Sequence, residues 1–323
     1  MAGVLVFGDT VGGKLAPASL EMAVAGAELA QALNEPLNGA LIGDGLDAAA
    51  EEFKGGFATL HLLEGKHLRP YTARSAIAAA RAAIDACKPS VVLFPHTLET
   101  REWVPRLAAM LDTGLVMDCT ALAAEGSDLV VSKPVYGGGV VGQYVVRGTT
   151  RLVTVRTGVL EGAAGAASGA VNKIAVAEPA AGRVTLIDEQ KAQAEGGVRL
   201  KDATTIVSGG RGLGGPDNWH YIEEAAAAIG GAVGCSRPVA DSGWVSSAHQ
   251  VGLSGTSVKP DLYIAVGISG AVQHLAGISN SSTVVAINTD GDADMFTRAN
   301  YGVVGDYKEV LPGFVERAKQ IRG

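Results

Sequence analysis

The sequence predicts an α/β protein built from two doubly wound units with mostly parallel sheets. Three observations carry that expectation. Short apolar runs bounded by Gly or Pro alternate with alanine-rich stretches of helical length, the pattern of strands and helices in turn. Hydrophobic residues make up 47% of the chain but aromatics only 5%, with 44 glycines, so helices can lie close on sheets built from Ala, Val, Ile and Leu. At 323 residues the chain is long enough for two separate cores.

Taken in order, Val4–Gly8 is a short buried strand, followed by a loop over Asp9–Pro17 and a helix from Ala18 to Leu33. Gly39–Gly43 and Ala58–Leu63 read as strands, Thr72–Cys87 as a helix, Val91–Phe94 as a strand and Arg101–Leu111 as a helix. Strands and helices alternating at this spacing imply a parallel sheet. Leu129–Ser132, Gly142–Val146 and Leu152–Val155 then follow without helices between them, which predicts an antiparallel extension. A Gly/Ala-rich stretch, Gly158–Val171, precedes one more strand, Val184–Ile187, and the charged, glycine-ended run Asp188–Gly197 has the composition of a linker. The boundary is placed at residue 192, giving units 1–192 and 193–323.

The second unit starts with the strand Thr204–Val207 and the helix Asp217–Ile229. It continues with the strand Leu262–Val266, the helix Ala271–Leu275, the strand Thr283–Ile287, the helix Asp294–Asn300, the strand Val303–Val304 and the helix Lys308–Ile321. In such sheets ligands bind outside the carboxyl ends of the strands. Four tracts fall there: SGGRGL at Ser208–Leu213, CSRP at Cys235–Pro238, QVGLSG at Gln250–Gly255, and VGISGAVQHLAG at Val266–Gly277. The last is a strand, a Gly-x-x-Gly turn and a helix start. Gly267 and Gly270 let backbone approach a ligand where a Cβ would obstruct it, the amides opening the helix near Ala271 attract anionic groups, and His274 lies about one turn inside. The glycines of the first tract are expected to present amides to a pyrophosphate, with Arg211 adding a cation.

Together the four tracts form an ordered series that resembles the alpha subunit of electron-transfer flavoproteins, the FixB family. The resemblance spans the chain, with its specificity in the last third, and implies a Rossmann-like FAD-binding C-terminal unit on an N-terminal scaffold. It also implies an electron carrier rather than a substrate-converting enzyme. FAD would receive electrons from flavoprotein dehydrogenases and pass them to a quinone oxidoreductase, in a heterodimer with a small (beta) subunit that holds AMP or a second FAD. By resemblance Arg211 lies along the cofactor, Ser236 contacts it and Arg237 packs over the isoalloxazine. Gln250, Val251, Gly252, Leu253, Ser254 and Gly255 form the block whose hydroxyl, here Ser254, meets the flavin ring. Ser269, Gly270, Ala271, Val272, Gln273 and His274 line the cofactor, His274 as a charge-assisted donor at the pyrimidine edge. Asn288 and Asp306, with Tyr307 adjoining, fall at the adenosine contacts. The chain departs from the pattern at Leu253, where a glutamine is usual.

The formal charge of −7 offers no basic face for nucleic acid. Cys87, Cys119 and Cys235 stand far apart and read as free thiols in a reducing compartment. No apolar stretch of membrane-spanning length and no basic leader occur, so a soluble, cytoplasmic protein without membrane insertion is expected. Asp290, Asp292 and Asp294 lack the glycine and distal glutamate of a Ca²⁺ loop, and His96 has no nucleophile or paired base nearby, so no metal or catalytic residue is assigned. Two other classes stay open: an NAD-binding oxidoreductase on the same fold, and a non-redox adenine-nucleotide module on the N-terminal sheet. The loop Asp9–Pro17 gives the second of these no convincing phosphate cradle.

Overall fold

The computed structural model describes residues 3–322 except 139, 159–168, 180–181, 183, 185 and 189–199. Contacts divide the chain into two compact units, Met1–Glu189 and Gln190–Gly323.

In the first unit β1 (Val4–Phe7) leads through a small hairpin, β2 (Thr10–Val11) and β3 (Lys14–Leu15), to α1 (Pro17–Leu33), β4 (Leu37–Gly43), α2 (Asp47–Phe53) and β5 (Thr59–Glu64). Next come α3 (Ala73–Cys87), β6 (Val91–Pro95), α4 (Leu98–Leu111), β7 (Leu115–Cys119), β8 (Ala121–Glu125), β9 (Asp128–Val135), β10 (Val140–Val146), β11 (Arg151–Val155) and β12 (Ala170–Ala175). Thr72 and Thr97 cap α3 and α4, each hydroxyl accepting the amide three residues on. Seven strands form one sheet in the order β12-β5-β4-β1-β6-β11-β7, parallel at every pair. The central strands β1 and β6 are buried from end to end, which is why they read as unbroken apolar runs.

Several expectations change here. The loop Asp9–Pro17 holds the β2–β3 hairpin. The antiparallel extension exists, but it consists of β10-β9-β8. Leu152–Val155 leaves it and inserts between β6 and β7 as a parallel strand, because its side chains are buried on both faces of the main sheet. The helix α2 and the strands β7, β8 and β12 were not expected. Val184, Leu186 and Ile187 form no strand and are exposed, while Thr185 and most of the expected linker lie outside the described residues.

In the second unit β13 (Thr205–Gly209) precedes α5 (His220–Ile229), β14 (Ala232–Cys235), α6 (Arg237–Asp241), β15 (Leu262–Val266), α7 (Val272–Gly277), β16 (Thr283–Asn288), β17 (Tyr301–Val304) and α8 (Tyr307–Arg322). The five strands are parallel in the order β14-β13-β15-β16-β17. The expected helix at Asp294–Asn300 is a single 3₁₀ turn, Asp294–Thr297. The segment before it is already folded into side-chain-bonded turns, with Asn288 Oδ1 accepting from Asp290 N–H and Asp290 Oδ1 from Asp292 N–H. The Asp290 carboxylate is therefore engaged in a turn, and among the described residues no cluster of three or more His, Cys, Asp or Glu is placed to hold a metal.

Candidate functional site

Strand order locates the site. The chain starts the second sheet at β13, adds β14 on one side, then crosses to add β15 on the other, so the direction of winding reverses between β13 and β15. In sheets of this kind ligands bind outside the carboxyl ends of the strands at that point. Here the loops at those ends are Gly210–Gly214 and Gly267–Ala271.

The two loops touch backbone to backbone. Gly210 N–H donates to Val266 O at 2.8 Å and Gly212 N–H to Gly267 O at 3.0 Å. A Cβ on Gly210 would collide with the Gly267 carbonyl, and one on Gly212 would lie 2.8 Å from it. Leu213 and Gly214 donate back to Gly210 and Arg211 at 3.1 Å each. The amides of Gly210, Gly212, Leu213 and Gly214 are thus committed within the protein. That corrects the expectation of an amide cradle in this tract: its glycines serve close approach of two loops, and what reaches outward is the exposed Arg211.

On the β15 side Gly267 and Gly270 have φ of +60° and +91°, in the left-handed region. Gly270 also packs on the Met295 amide, where a Cβ would clash. The turn delivers Ser269, Ala271, Val272 and Gln273 to the surface at the start of α7, whose N-cap Ala271 supplies no side-chain acceptor to the opening amides.

The third wall is the turn from Gln250 to Thr256. Val251 N–H donates to Cys235 O at 2.9 Å and Thr256 N–H to Gln250 O at 2.8 Å, which hooks the turn onto the end of β14. Leu253 N–H donates to Gln273 O at 3.0 Å and fixes the turn to α7. Gly252, at φ +142°, allows that approach, and α7 reciprocates with Gly277, where a Cβ would strike Gly252. Buried Gln250 donates Nε2–H to the exposed Ser254 hydroxyl at 2.9 Å, so the Ser254 proton is left to point elsewhere. Leu253 is 46% exposed. Between these walls α6 begins with Ser236, buried, and Arg237, whose exposed Nε pairs with Asp241 at 3.2 Å.

His274 departs most from expectation. It is 6% exposed, with Nε2 against the Tyr263 hydroxyl at 2.9 Å and Nδ1 buried without a hydrogen bond of ordinary geometry. Burial pulls its pKa down to about 4, against a smaller opposing effect of the Val251 backbone. The ring is therefore neutral near pH 7, so the charge in the hydrogen bond anticipated from sequence would have to come from the acceptor. Tyr263 itself was not singled out, because one aromatic in the run LYIAV reads as core; the signal available was its polar head in an otherwise apolar strand.

At the far end Asn288 is used twice, donating Nδ2–H to Ile268 O at 3.1 Å and accepting from Asp290. Asp306 is exposed and accepts from Lys308 N–H at 2.9 Å, opening α8. The Tyr307 side chain turns inward: its hydroxyl donates to Leu213 O at 2.9 Å and its ring meets Tyr221 edge-on. It ties α8 to the Arg211 loop and offers no side-chain surface to the site. In the first unit His96 is bonded through Nδ1 to Thr154 Oγ1 at 2.8 Å, beside an Asp118 carboxylate held bidentately by Arg156 at 2.8 Å and 2.8 Å.

The fold defines a class, a two-unit α/β protein whose second unit is a doubly wound parallel sheet. Family comparison is specific. Residues 199–279 match the electron transfer flavoprotein FAD-binding domain, and residues 4–179 match the electron transfer flavoprotein domain. The electron transfer flavoprotein subunit alpha of Thermoanaerobacterium thermosaccharolyticum is 36% identical over 324 residues, covering 99% of this chain and 98% of that one. The Bacillus subtilis subunit alpha is 35% identical, with 98% of each chain covered. The LctC subunit of the Acetobacterium woodii lactate dehydrogenase (NAD(+),ferredoxin) is 36% identical over 96% of this chain and 75% of its own length. The chain belongs to the electron transfer flavoprotein family, as an alpha subunit. Among the described residues no helix is long and apolar enough to cross a membrane.

Proposed function

We propose that residues from about 193 onward hold FAD outside the carboxyl ends of β13 and β15, and that residues 1–192 are the scaffold that pairs with a small subunit. The observation that carries this reading is the convergence, at one topological switch point, of three glycine-shaped loops that leave Arg211, Ser254 and the opening of α7 facing outward. FAD, when bound, supplies the one- and two-electron chemistry; the chain's own residues bind it, orient it and set its potential.

Arg211 offers a cation to the pyrophosphate, and the uncapped amides at Ala271–Gln273 add dipoles of the same sign. Arg237 is held only by an exposed i,i+4 pair with Asp241, an interaction worth less than about 1 kcal/mol, so it is free to turn over a flavin ring and favour added electron density. Gln250 occupies a lone pair of the Ser254 oxygen and so directs the hydroxyl proton outward. Asn288 shapes the adenosine end by bracing the β15 and β16 loops, Asp306 offers it a carboxylate, and Tyr307 supports from behind.

The chain then relays electrons from flavoprotein dehydrogenases to a quinone oxidoreductase, in the cytoplasm, with AMP or a second FAD in the small subunit. Copurification with that subunit and anaerobic titration test this reading. It expects a yellow heterodimer that a dehydrogenase reduces without NAD. A colourless protein with nicotinamide-dependent turnover would replace it with the NAD-binding reading.

A further inference from the structure

Tyr263 sits at the second position of β15, wholly buried, and its hydroxyl meets His274 Nε2 at 2.9 Å with the ring centroids 6.0 Å apart. A phenol has one proton and a neutral imidazole has one, so two arrangements fit that distance. In one, tyrosine donates to Nε2 and the histidine proton sits on Nδ1. In the other, Nε2–H donates to the phenol oxygen, and the phenol proton must find a second acceptor.

The surroundings favour the first. A phenol O–H is a stronger donor than a neutral imidazole N–H and the imidazole lone pair the stronger acceptor, and buried Ser208 acts on the phenol oxygen as a donor does, which leaves the phenol proton for Nε2.

We propose that Tyr263 sets the tautomer of His274, holding it as a neutral Nδ1–H donor beside the Val251–Leu253 turn. Tyr263 is thus a positioning residue. The inference rests on the FAD reading only for its consequence: Nδ1–H is the atom that His274 keeps for a ligand, and it brings an oriented dipole rather than a positive charge. An orphaned buried donor at a site wall is the kind of group that an absent ligand explains.

The test is made on the FAD-free full chain labelled with ¹⁵N-histidine, using long-range ¹H–¹⁵N correlation near pH 7.5, with His274 assigned by its disappearance in His274→Gln. The expected pattern is a protonated, pyrrole-like Nδ1 and a pyridine-like Nε2. In Tyr263→Phe the pattern should shift toward Nε2–H, the tautomer that free imidazole prefers. A wild-type His274 already protonated at Nε2 would overturn the proposal, as would a Tyr263→Phe spectrum identical to wild type. If Tyr263→Phe does not fold, the wild-type spectrum alone decides. Failure of FAD to bind would sink the functional reading and leave these spectra unchanged, so the two failures are distinguishable.

Discussion

Protonating His274 should destabilise the second unit, and the size of the effect follows from its burial. The imidazole titrates at about 4 in the folded chain against 6.5 when exposed. Above pH 6.5 both states carry a neutral ring and no linkage arises. As pH falls through 6.5 the unfolded chain takes up a proton that the folded chain refuses, so stability is lost progressively until pH 4, below which the loss is complete. At 1.36 kcal/mol per pKa unit the full effect is about 3 kcal/mol, most of it already expressed at pH 4.5. The perturbation is His274→Gln, which keeps a polar group near Tyr263 but cannot titrate. Urea unfolding of the FAD-free chain at pH 7.5 and 4.5, followed by tryptophan fluorescence and circular dichroism, gives the pH-dependent loss for each protein. The wild type should lose about 2–3 kcal/mol more than the variant. Equal losses would show that His274 is solvated in solution, and the neutral-donor reasoning would fall with it.

Arg237→Ala should lower the flavin reduction potential by an amount equivalent to about 1 kcal/mol, with Arg237→Lys restoring only part, because a guanidinium can stack on a ring where an ammonium cannot; unchanged potentials would remove Arg237 from the site. Leu253→Gln should shift a potential by the equivalent of about 0.5–1.5 kcal/mol without loss of melting temperature, since position 253 is exposed and buries no unpaired amide; a destabilised protein with an unmoved potential would contradict this. Arg156→Leu should destabilise the first unit by about 2–4 kcal/mol at pH 7, because it strips the partner from an Asp118 carboxylate that burial disfavours and that Arg156 otherwise holds below its ordinary pKa. The wild-type pair should keep its contribution above the ordinary carboxylate pKa and lose it as pH falls through the depressed one. An unshifted urea midpoint at pH 7 would refute the pairing.

Strands buried on both faces were legible because burial leaves an unbroken apolar run: Val4–Phe7, Val91–Phe94 and Leu262–Val266 are all such runs. Some strands at sheet edges were not. Ala170–Ala175, paired on one side only and almost wholly exposed, reads AVNKIA, and Ala121–Glu125 reads as readily helical. Leu152–Val155 showed its strand character but not its partner, since pairing direction is set by where the chain returns. At the site, the glycine positions stood out, and their purpose did not. Gly212 bonds Gly267 and Gly252 abuts Gly277, contacts between residues 25 or more apart in sequence that no local pattern encodes. The burial of His274 was hidden for the same reason: the ring packs against the Tyr263 hydroxyl, eleven residues upstream.

The location of FAD is tested most directly by hydrogen–deuterium exchange on the heterodimer with the small subunit, stripped of FAD and then restored. Protection on adding FAD should appear in three stretches of the second unit, 209–214, 250–256 and 269–275, while the seven strands of the first sheet exchange as before. Protection confined to residues 4–175 of this chain, with those three stretches unchanged, would contradict the account.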